Sequence, residues 1–234
     1  MQNESQSEYS GLEELLISES MPNYNYFIVT TAKNALGDPS QLVDFGAGIG
    51  TLSLIFREEY NINPLCVEID TKNQEYLLQR KFQFFENLTS VPNNPDAIFS
   101  SNVLEHIEDD VSILKEMRKQ LKDGGRLCLY LPAKMLLWSK LDEAVGHYRR
   151  YEVSELRAKC RDAGFKIIKI HYADCAGFFA SLLMKLLGYN SKNGIGSIES
   201  MKFYDKYLFP ISNFLDKLGF RYLLGKNIVL VAEK

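Results

Sequence analysis

The chain lacks the marks of several whole classes of protein. Only four of its 234 residues are cysteine (Cys66, Cys128, Cys160, Cys175), none in a C-x-x-C pair and none at a metal-like spacing. A disulfide scaffold and a cysteine zinc site are therefore not expected, and no metal is expected. Cys66 and Cys128 fall inside apolar, strand-like runs, as buried thiols in a reducing compartment do. No run reaches the roughly 20 apolar residues that span a bilayer. The opening MQNESQSEYS lacks the basic-then-apolar order of a signal peptide. A cytoplasmic protein is the expectation. There is no basic excess either: 27 Lys and Arg stand against 30 Asp and Glu, a formal charge of −3. A general nucleic-acid binder should be basic, so nucleic acid is not expected as a partner. Neither an internal repeat nor a low-complexity linker divides the chain, which reads as one domain over 1–234 with room for a substantial core.

What is present centres on VDFGAGIG at 43–50. A short apolar run containing Asp44 leads into three glycines at alternate positions, and a helical pattern begins at Thr51. Strand, glycine turn and helix N-terminus together let backbone N–H groups approach a ligand closely. Around this stretch the pattern alternates. Residues 1 to about 8 read as disordered, and Tyr9 to Leu36 as two helices broken at Met21-Pro22-Asn23. Strands are expected at 42–45, LCVEID (65–70), KFQFFEN (81–87), AIFSS (97–101), RLCLYLP (126–132), FKIIKIHYA (165–173) and NIVLVAEK (227–234). Helices are expected at 51–60, 71–80, 103–121 and 154–163, with charge along one face of the third, from Glu105 to Lys119. Residues 133–150 read as a loop. Strands alternating with helices predict an α/β fold with a doubly wound, mostly parallel sheet covered on both faces.

One segment departs from that alternation. AGFFASLLMKLLG and MKFYDKYLFPISNFLDKLG, within a helical insertion at 174–225, carry apolar faces wider than a surface helix needs. They pack as a helical subdomain, or form a lid, a dimer interface or a weak membrane-surface contact through 176–219.

The glycines at 46, 48 and 50 lack the third glycine of a nicotinamide fingerprint, because position 51 is Thr51. Glu68 closes the second strand, where a carboxylate can accept both ribose hydroxyls of an adenosine lying across the strand ends. Glycine turn, strand-end carboxylate and α/β alternation together point to an adenosine cofactor.

Over roughly residues 22 to 172 the chain resembles the class I S-adenosylmethionine-dependent methyltransferases. The resemblance rests on VDFGAGIG, VEID, DAIFSSNVLEHIEDD and LKDGGRLCLYLPA, in that family's order and spacing. It implies a Rossmann-like, seven-stranded sheet whose last strand is antiparallel, and S-adenosyl-L-methionine as cofactor. By position, Gly46, Ala47 and Gly48 would line the methionine part. Asp44 would brace that loop or reach the amino group through water. Glu68 would hold the ribose, Ile69 would lie against the adenine, Ser101 would meet the methionine end, and Asn87 would contact the adenine amine. NYNYF at 23–27 and GHYRRY at 146–151 look like a bacterial subgroup, many of whose members accompany glycan or lipid-linked pathways.

Methyl transfer from a sulfonium needs orientation and exclusion of water above all, and a neutral hydroxyl acceptor also benefits from a base. The chain has three histidines. His171 lies in an expected strand and reads as structural. His106, after the fourth strand, either packs at a helix end or lines the site. His147 stands in the long loop after the fifth strand, which leaves the carboxyl edge of the sheet where ligands bind. It is the leading candidate base. Asp142, Tyr148, Arg149 and Arg150 are candidate acceptor contacts, with a solvated or ion-paired face as the alternative for the arginines. Tyr24 and Tyr26 either close over the site, within an N-terminal helical lid at 1–40, or pack in the core. The expected reaction is methyl transfer to a small-molecule or lipid- or glycan-linked acceptor, most readily on oxygen. The alternatives are an N- or carboxyl-methyltransferase of a small metabolite, and a catalytically silent cofactor-binding protein docked to a membrane or partner. No N/D-P-P-Y/F motif for methylating base amino groups is present.

Overall fold

A computed structural model describes residues 12–187 and 198–234. The disorder expected for residues 1 to about 8 lies outside the described residues. Helices α1 (Leu12–Ser18) and α2 (Pro22–Leu36) are separated at Met21, and Pro22 occupies the first turn of α2, where its missing N–H costs nothing. There follow β1 (Leu42–Phe45), α3 (Thr51–Tyr60), β2 (Leu65–Val67), α4 (Thr71–Gln79), β3 (Phe84–Phe85) and β4 (Ala97–Ser101). Next come α5 (Asp110–Gln120), β5 (Arg126–Pro132), α6 (Lys140–Ala144), α7 (Val153–Asp162), β6 (Lys166–Ala173), α8 (Cys175–Leu187), α9 (Ile198–Phe203), α10 (Phe209–Lys217) and β7 (Asn227–Glu233). A five-residue π-helical stretch, Tyr204–Leu208, joins α9 to α10.

The seven strands form one sheet in the order β3-β2-β1-β4-β5-β7-β6. Strands β1 to β5 pair in parallel, and β7 runs antiparallel to both β5 and β6. Period-two alternation assigns the faces. Val43, Ile98, Leu127, Leu129 and Leu131 enter one core with Leu114 and Met117 of α5 and Leu156 of α7. Leu42, Phe99, Cys128, Tyr130 and Val229 enter the other with Val29 of α2 and Phe56 of α3. Order reverses between β1 and β4, so the carboxyl ends of those two strands flank the crevice of the sheet.

Two expected elements differ. KFQFFEN yields only a two-residue edge strand, paired with β2 through Cys66–Phe84 and Val67–Phe85. The helix expected from residue 103 starts at Asp110, because the Asp109 side chain accepts the Ser112 N–H and caps it there. Residues 104–106 form a separate turn, and Glu105, read as part of a charged face, is wholly buried.

Three buried aspartates hold the 174–225 insertion together and tie it to α2 and to the residue before β7. Asp205 accepts the N–H groups of Asn23 and Tyr24 at the start of α2, and Asp216 accepts those of Asp174 and Cys175 at the start of α8. Carboxylates suit those helix N-termini because unpaired N–H groups and the positive dipole end gather there. Asp174 in turn accepts the Ser212 hydroxyl at 2.8 Å and the Tyr204 hydroxyl, and pairs with Lys226. Yet Phe179, Leu183, Phe203, Ile211, Phe214 and Leu218 remain more than half exposed. Among the described residues no helix is long and apolar enough to cross a membrane.

Candidate active site

The glycine turn takes its shape from left-handed backbone. Gly46, Gly48 and Gly50 have φ of 76°, 55° and 81°, conformations that cost a residue with a Cβ about 1–2 kcal/mol each. The N–H groups of Gly46 and Ala47 both donate to the Val67 carbonyl, which pins the turn against β2. A Cβ on Gly46 would lie 2.2 Å from the Val103 side chain. The loops after β1 and β4 therefore touch across the switch point, and the turn packs to its limit on one side.

Glu68 follows β2 directly. Its Oε2 accepts the Gly48 N–H at 2.7 Å and its Oε1 accepts the Asp70 N–H at 2.9 Å. The carboxylate is thereby fixed beside the turn, with remaining lone pairs to accept ribose hydroxyls. Ile69 is 81% exposed, an apolar side chain left at the crevice edge where an adenine face would cover it. Ser101 is half-buried at the end of β4, its Oγ accepting from the Asn102 side chain. These groups fit S-adenosylmethionine: a turn of left-handed glycines, a strand-end carboxylate and an uncovered apolar residue, all at the carboxyl ends of β1 and β2.

Of two further carried-over residues, Asp44 takes the bracing alternative and Asn87 is spent on a local turn. Asp44 is buried beneath the turn and accepts the Ser53 hydroxyl at 2.6 Å, so it braces α3 against β1. Burial pushes its carboxyl up to about 7, against the Ser53 hydrogen bond. Asn87 spends its Oδ1 on the Ser90 N–H and on the Thr89 and Ser90 hydroxyls, capping the turn at 88–90. That oxygen is the acceptor an adenine amine would need.

Above the turn lies α1. Leu15 packs over Gly48, and Glu19 accepts from the Thr51 hydroxyl at 2.8 Å while pairing with Arg80 at 2.7 Å. Sequence reading missed these contacts, because LEELLI carries no sign of what it covers.

The loop after β5 meets the turn after β4. Residues 139–144 carry a capping box in which Ser139 and Asp142 bond each other's backbone N–H groups, and this forms α6 inside the expected loop. Asp142 is 1% exposed, so it is not an acceptor contact as expected. It holds His147 Nδ1 at 2.9 Å and Arg150 Nε at 2.7 Å. Burial works against its ionisation, but hydrogen bonds from His147 and Arg150 win and hold it down to about 2. Arg149 pairs with Asp110 at 2.8 Å and donates to the Glu108 carbonyl. Both arginines are therefore committed to the protein, the ion-paired alternative. Tyr148 is left open to solvent, its N–H donating to the Glu105 carbonyl.

His147 packs edge-on against His106, ring centroids 4.6 Å apart, and its Nε2 lies 3.9 Å from Glu105 Oε1. Burial pushes the Glu105 carboxyl up to about 8, and partial burial with the neighbouring His147 presses His106 down to about 4. Both Glu105 oxygens lack a hydrogen-bond partner. In the sequence Glu105 stood beside His106, but its burial left no signal there. His171 is buried on β6, its Nδ1 bonded to the Tyr172 carbonyl.

The two tyrosines separate, since two residues turn a helix by about 200°. Tyr24 accepts from Tyr130 and from Asn227 and packs on Phe209, in the core. Tyr26 stacks on Tyr60 and lines a groove of about 770 Å³ between α2, β6 and α10 that includes none of the cofactor residues. Neither reaches the crevice as expected of a substrate contact.

A family model described as a methyltransferase domain matches residues 23–170. No protein of the curated set matches the sequence. Among solved structures, a SAM-dependent methyltransferase from Archaeoglobus fulgidus is similar at 18% identity and a TM-score of 0.62, over 94% of this chain and 99% of that one. A Thermotoga maritima SAM-dependent methyltransferase, described as a possible histamine N-methyltransferase, is similar at 18% identity and TM-score 0.62, over 95% and 93%. Phosphoethanolamine N-methyltransferase 2 of Haemonchus contortus, solved with S-adenosyl-L-methionine, is similar at 16% identity and TM-score 0.61, over 98% of this chain and 58% of that one. Likeness at these identities is a likeness of fold.

Proposed function

This chain belongs to the methyltransferase-domain family and is an S-adenosylmethionine-dependent methyltransferase, and we propose that it methylates a hydroxyl of a small-molecule or lipid- or glycan-linked acceptor. S-adenosylmethionine, when bound, supplies a methyl group already activated on a sulfonium. In this reading Gly46, Ala47, Gly48 and Ser101 line the methionine end, Glu68 holds the ribose and Ile69 covers the adenine. Asp44 braces the turn through Ser53. Helix α1 acts as the described part of the lid, supported by the contacts of Leu15 and Glu19 with the glycine turn and α3.

The observation that supports the choice of oxygen is the Asp142–His147 pair in the loop after β5. A carboxylate on Nδ1 orients the ring and leaves Nε2 as the nitrogen that takes a proton from an acceptor hydroxyl. His106 lines the same wall, and exposed Tyr148 is the acceptor contact. His147→Ala should keep S-adenosylhomocysteine affinity and lower turnover by roughly 10²–10⁴, the range for a general base; unchanged turnover rejects the role. The acceptor comes from mass spectrometry of extracts incubated with methyl-labelled S-adenosylmethionine. Label found on nitrogen or on a carboxylate would select the N- or carboxyl-methyltransferase reading instead.

One further observation favours a lipid-linked acceptor, in keeping with a subgroup marked by GHYRRY. The apolar residues exposed along α8 and α10, from Phe179 to Leu218, form a face of the kind that rests on a membrane surface or a partner, with Lys202, Lys206 and Lys217 on the same insertion. In this reading the enzyme is cytoplasmic and peripheral to the membrane. Liposome flotation at low salt tests it, and absence from the lipid fraction would remove the membrane from the reading.

A further inference from the structure

Glu105, His106 and His147 each offer a ligand atom, and these three atoms lie within 4.8 Å of one another. From this cluster we infer that the wall of the acceptor site is a binding site for a divalent first-row transition cation, with these three side chains as ligands.

The donor set comes first. Two imidazoles and a carboxylate suit zinc, iron, cobalt or manganese rather than magnesium or calcium, which prefer oxygen throughout. Three protein ligands leave open positions, the form of a site that acts on a substrate rather than one that only staples a fold. Tetrahedral bonds of 2.0–2.1 Å place ligand atoms roughly 3.4 Å apart. Rotamer adjustments of about an ångström would therefore bring this cluster to a cation.

Glu105 supplies the independent observation. It is fully buried, and neither carboxylate oxygen has a hydrogen-bond partner. Leaving a buried carboxyl unsatisfied is costly, and a structure that keeps one aims it at something. Its Oε1 points to His147 Nε2 at 3.9 Å.

The surroundings are those of metal-ligating histidines. Asp142 holds Nδ1 of His147 and leaves Nε2 facing Glu105, which is the carboxylate–histidine–metal arrangement. The Val145 and Gly146 carbonyls lie against the His106 ring, and backbone carbonyls are the other usual partner of a ligating imidazole. The residues come from the turn after β4 and the loop after β5, both at the carboxyl edge of the sheet.

The inference deepens the proposed function and rests on it for its consequence. An Nε2 that ligates a cation does not also take a proton. In the loaded protein the cation would polarise an acceptor oxygen in an open position, lowering the hydroxyl's pKa so that its proton passes to solvent. The same cluster then deprotonates the acceptor by a different route.

The test needs neither donor nor acceptor. The full chain, stripped with a chelator and exchanged into buffer, is titrated calorimetrically with ZnCl₂ and followed by visible absorption with CoCl₂. One equivalent should bind, with cobalt d–d bands. Glu105→Gln and His147→Ala, each checked for a wild-type melting transition, should weaken binding by at least about 100-fold, since even outer-shell partners are worth 10–100-fold. His171→Ala, remote from the cluster, should bind as wild type does. Absence of stoichiometric binding in the wild type overturns the inference, as does binding insensitive to both ligand variants. The two readings fail separately. No cation binding together with a His147→Ala turnover defect leaves His147 as the base and removes the cation. Cation binding lost in Glu105→Gln together with undiminished His147→Ala turnover removes the base and keeps the site.

Discussion

Replacing Gly46 by alanine asks whether the glycine turn is held by backbone conformation and by the neighbouring loop together. Two costs add. The residue sits at φ 76°, where an L side chain loses about 1–2 kcal/mol. The new Cβ would stand 2.2 Å from Val103 Cγ2 and 2.9 Å from Cγ1, against an optimal carbon separation of roughly 3.5–4.0 Å. One atom must move by more than an ångström, and overpacking of that kind costs about 1–3 kcal/mol. Gly46→Ala should therefore lower the urea-unfolding free energy by about 2–5 kcal/mol. It should also weaken S-adenosylhomocysteine at least tenfold by calorimetry, about 1.4 kcal/mol, because the loops that would flank the methionine are pushed apart. Val103→Ala in the same chain removes the clash and not the backbone strain. The double-mutant cycle should then show a favourable coupling of about 1–2 kcal/mol between the two positions. Stability within about 0.5 kcal/mol of wild type in the single variant, or strict additivity in the cycle, would refute the reasoning.

Asp44 should give stability a negative pH slope. Burial raises its carboxyl to about 7, so between about pH 4 and 7 the folded protein holds a proton that the unfolded chain has released. Stability from this group therefore falls as pH rises through that window and is level above it. Asp44→Asn should flatten the slope, gaining up to about 4 kcal/mol on wild type between pH 4 and pH 8 at 1.36 kcal/mol per unit; parallel urea-unfolding curves at the two pH values would count against it. Glu19→Ala should free α1 from Thr51 and Arg80, raising limited proteolysis ahead of Pro22. Global stability should change by less than about 1 kcal/mol, as for partly exposed ion pairs, and an unchanged cleavage rate would mean that other contacts hold the helix.

Most of the sheet was legible because strand and helix periods are local. AIFSS and RLCLYLP read as strands from their apolar runs, and the glycines at alternate positions announced the turn after β1. Legibility failed where a side chain's meaning depends on what faces it. Glu105 read as part of a charged helix face, yet the Asp109 cap moves the helix start and Glu105 is buried in the turn before it. Asp142, Arg149 and Arg150 read as candidate acceptor contacts and instead pair with protein groups. Asn87 matched a family position, and its oxygen went to a local turn. Cysteine spacing carries no word on Glu105, His106 and His147, whose ligand atoms lie within 4.8 Å of one another. Glu105-His106 and His147 are 41 residues apart, and only parallel pairing of β4 with β5 makes them neighbours.

By itself the sequence determined the donor side of this protein. Glycines that must adopt positive φ, a carboxylate closing a strand and an alternating α/β pattern are local facts, and together they specify a crevice for S-adenosylmethionine. Tertiary structure alone decided how the charged and histidine side chains of the turn after β4 and the loop after β5 are paired. Charges 30 to 50 residues apart either cancel one another or gather into a site according to which strands lie side by side, and sequence spacing carries no record of that pairing.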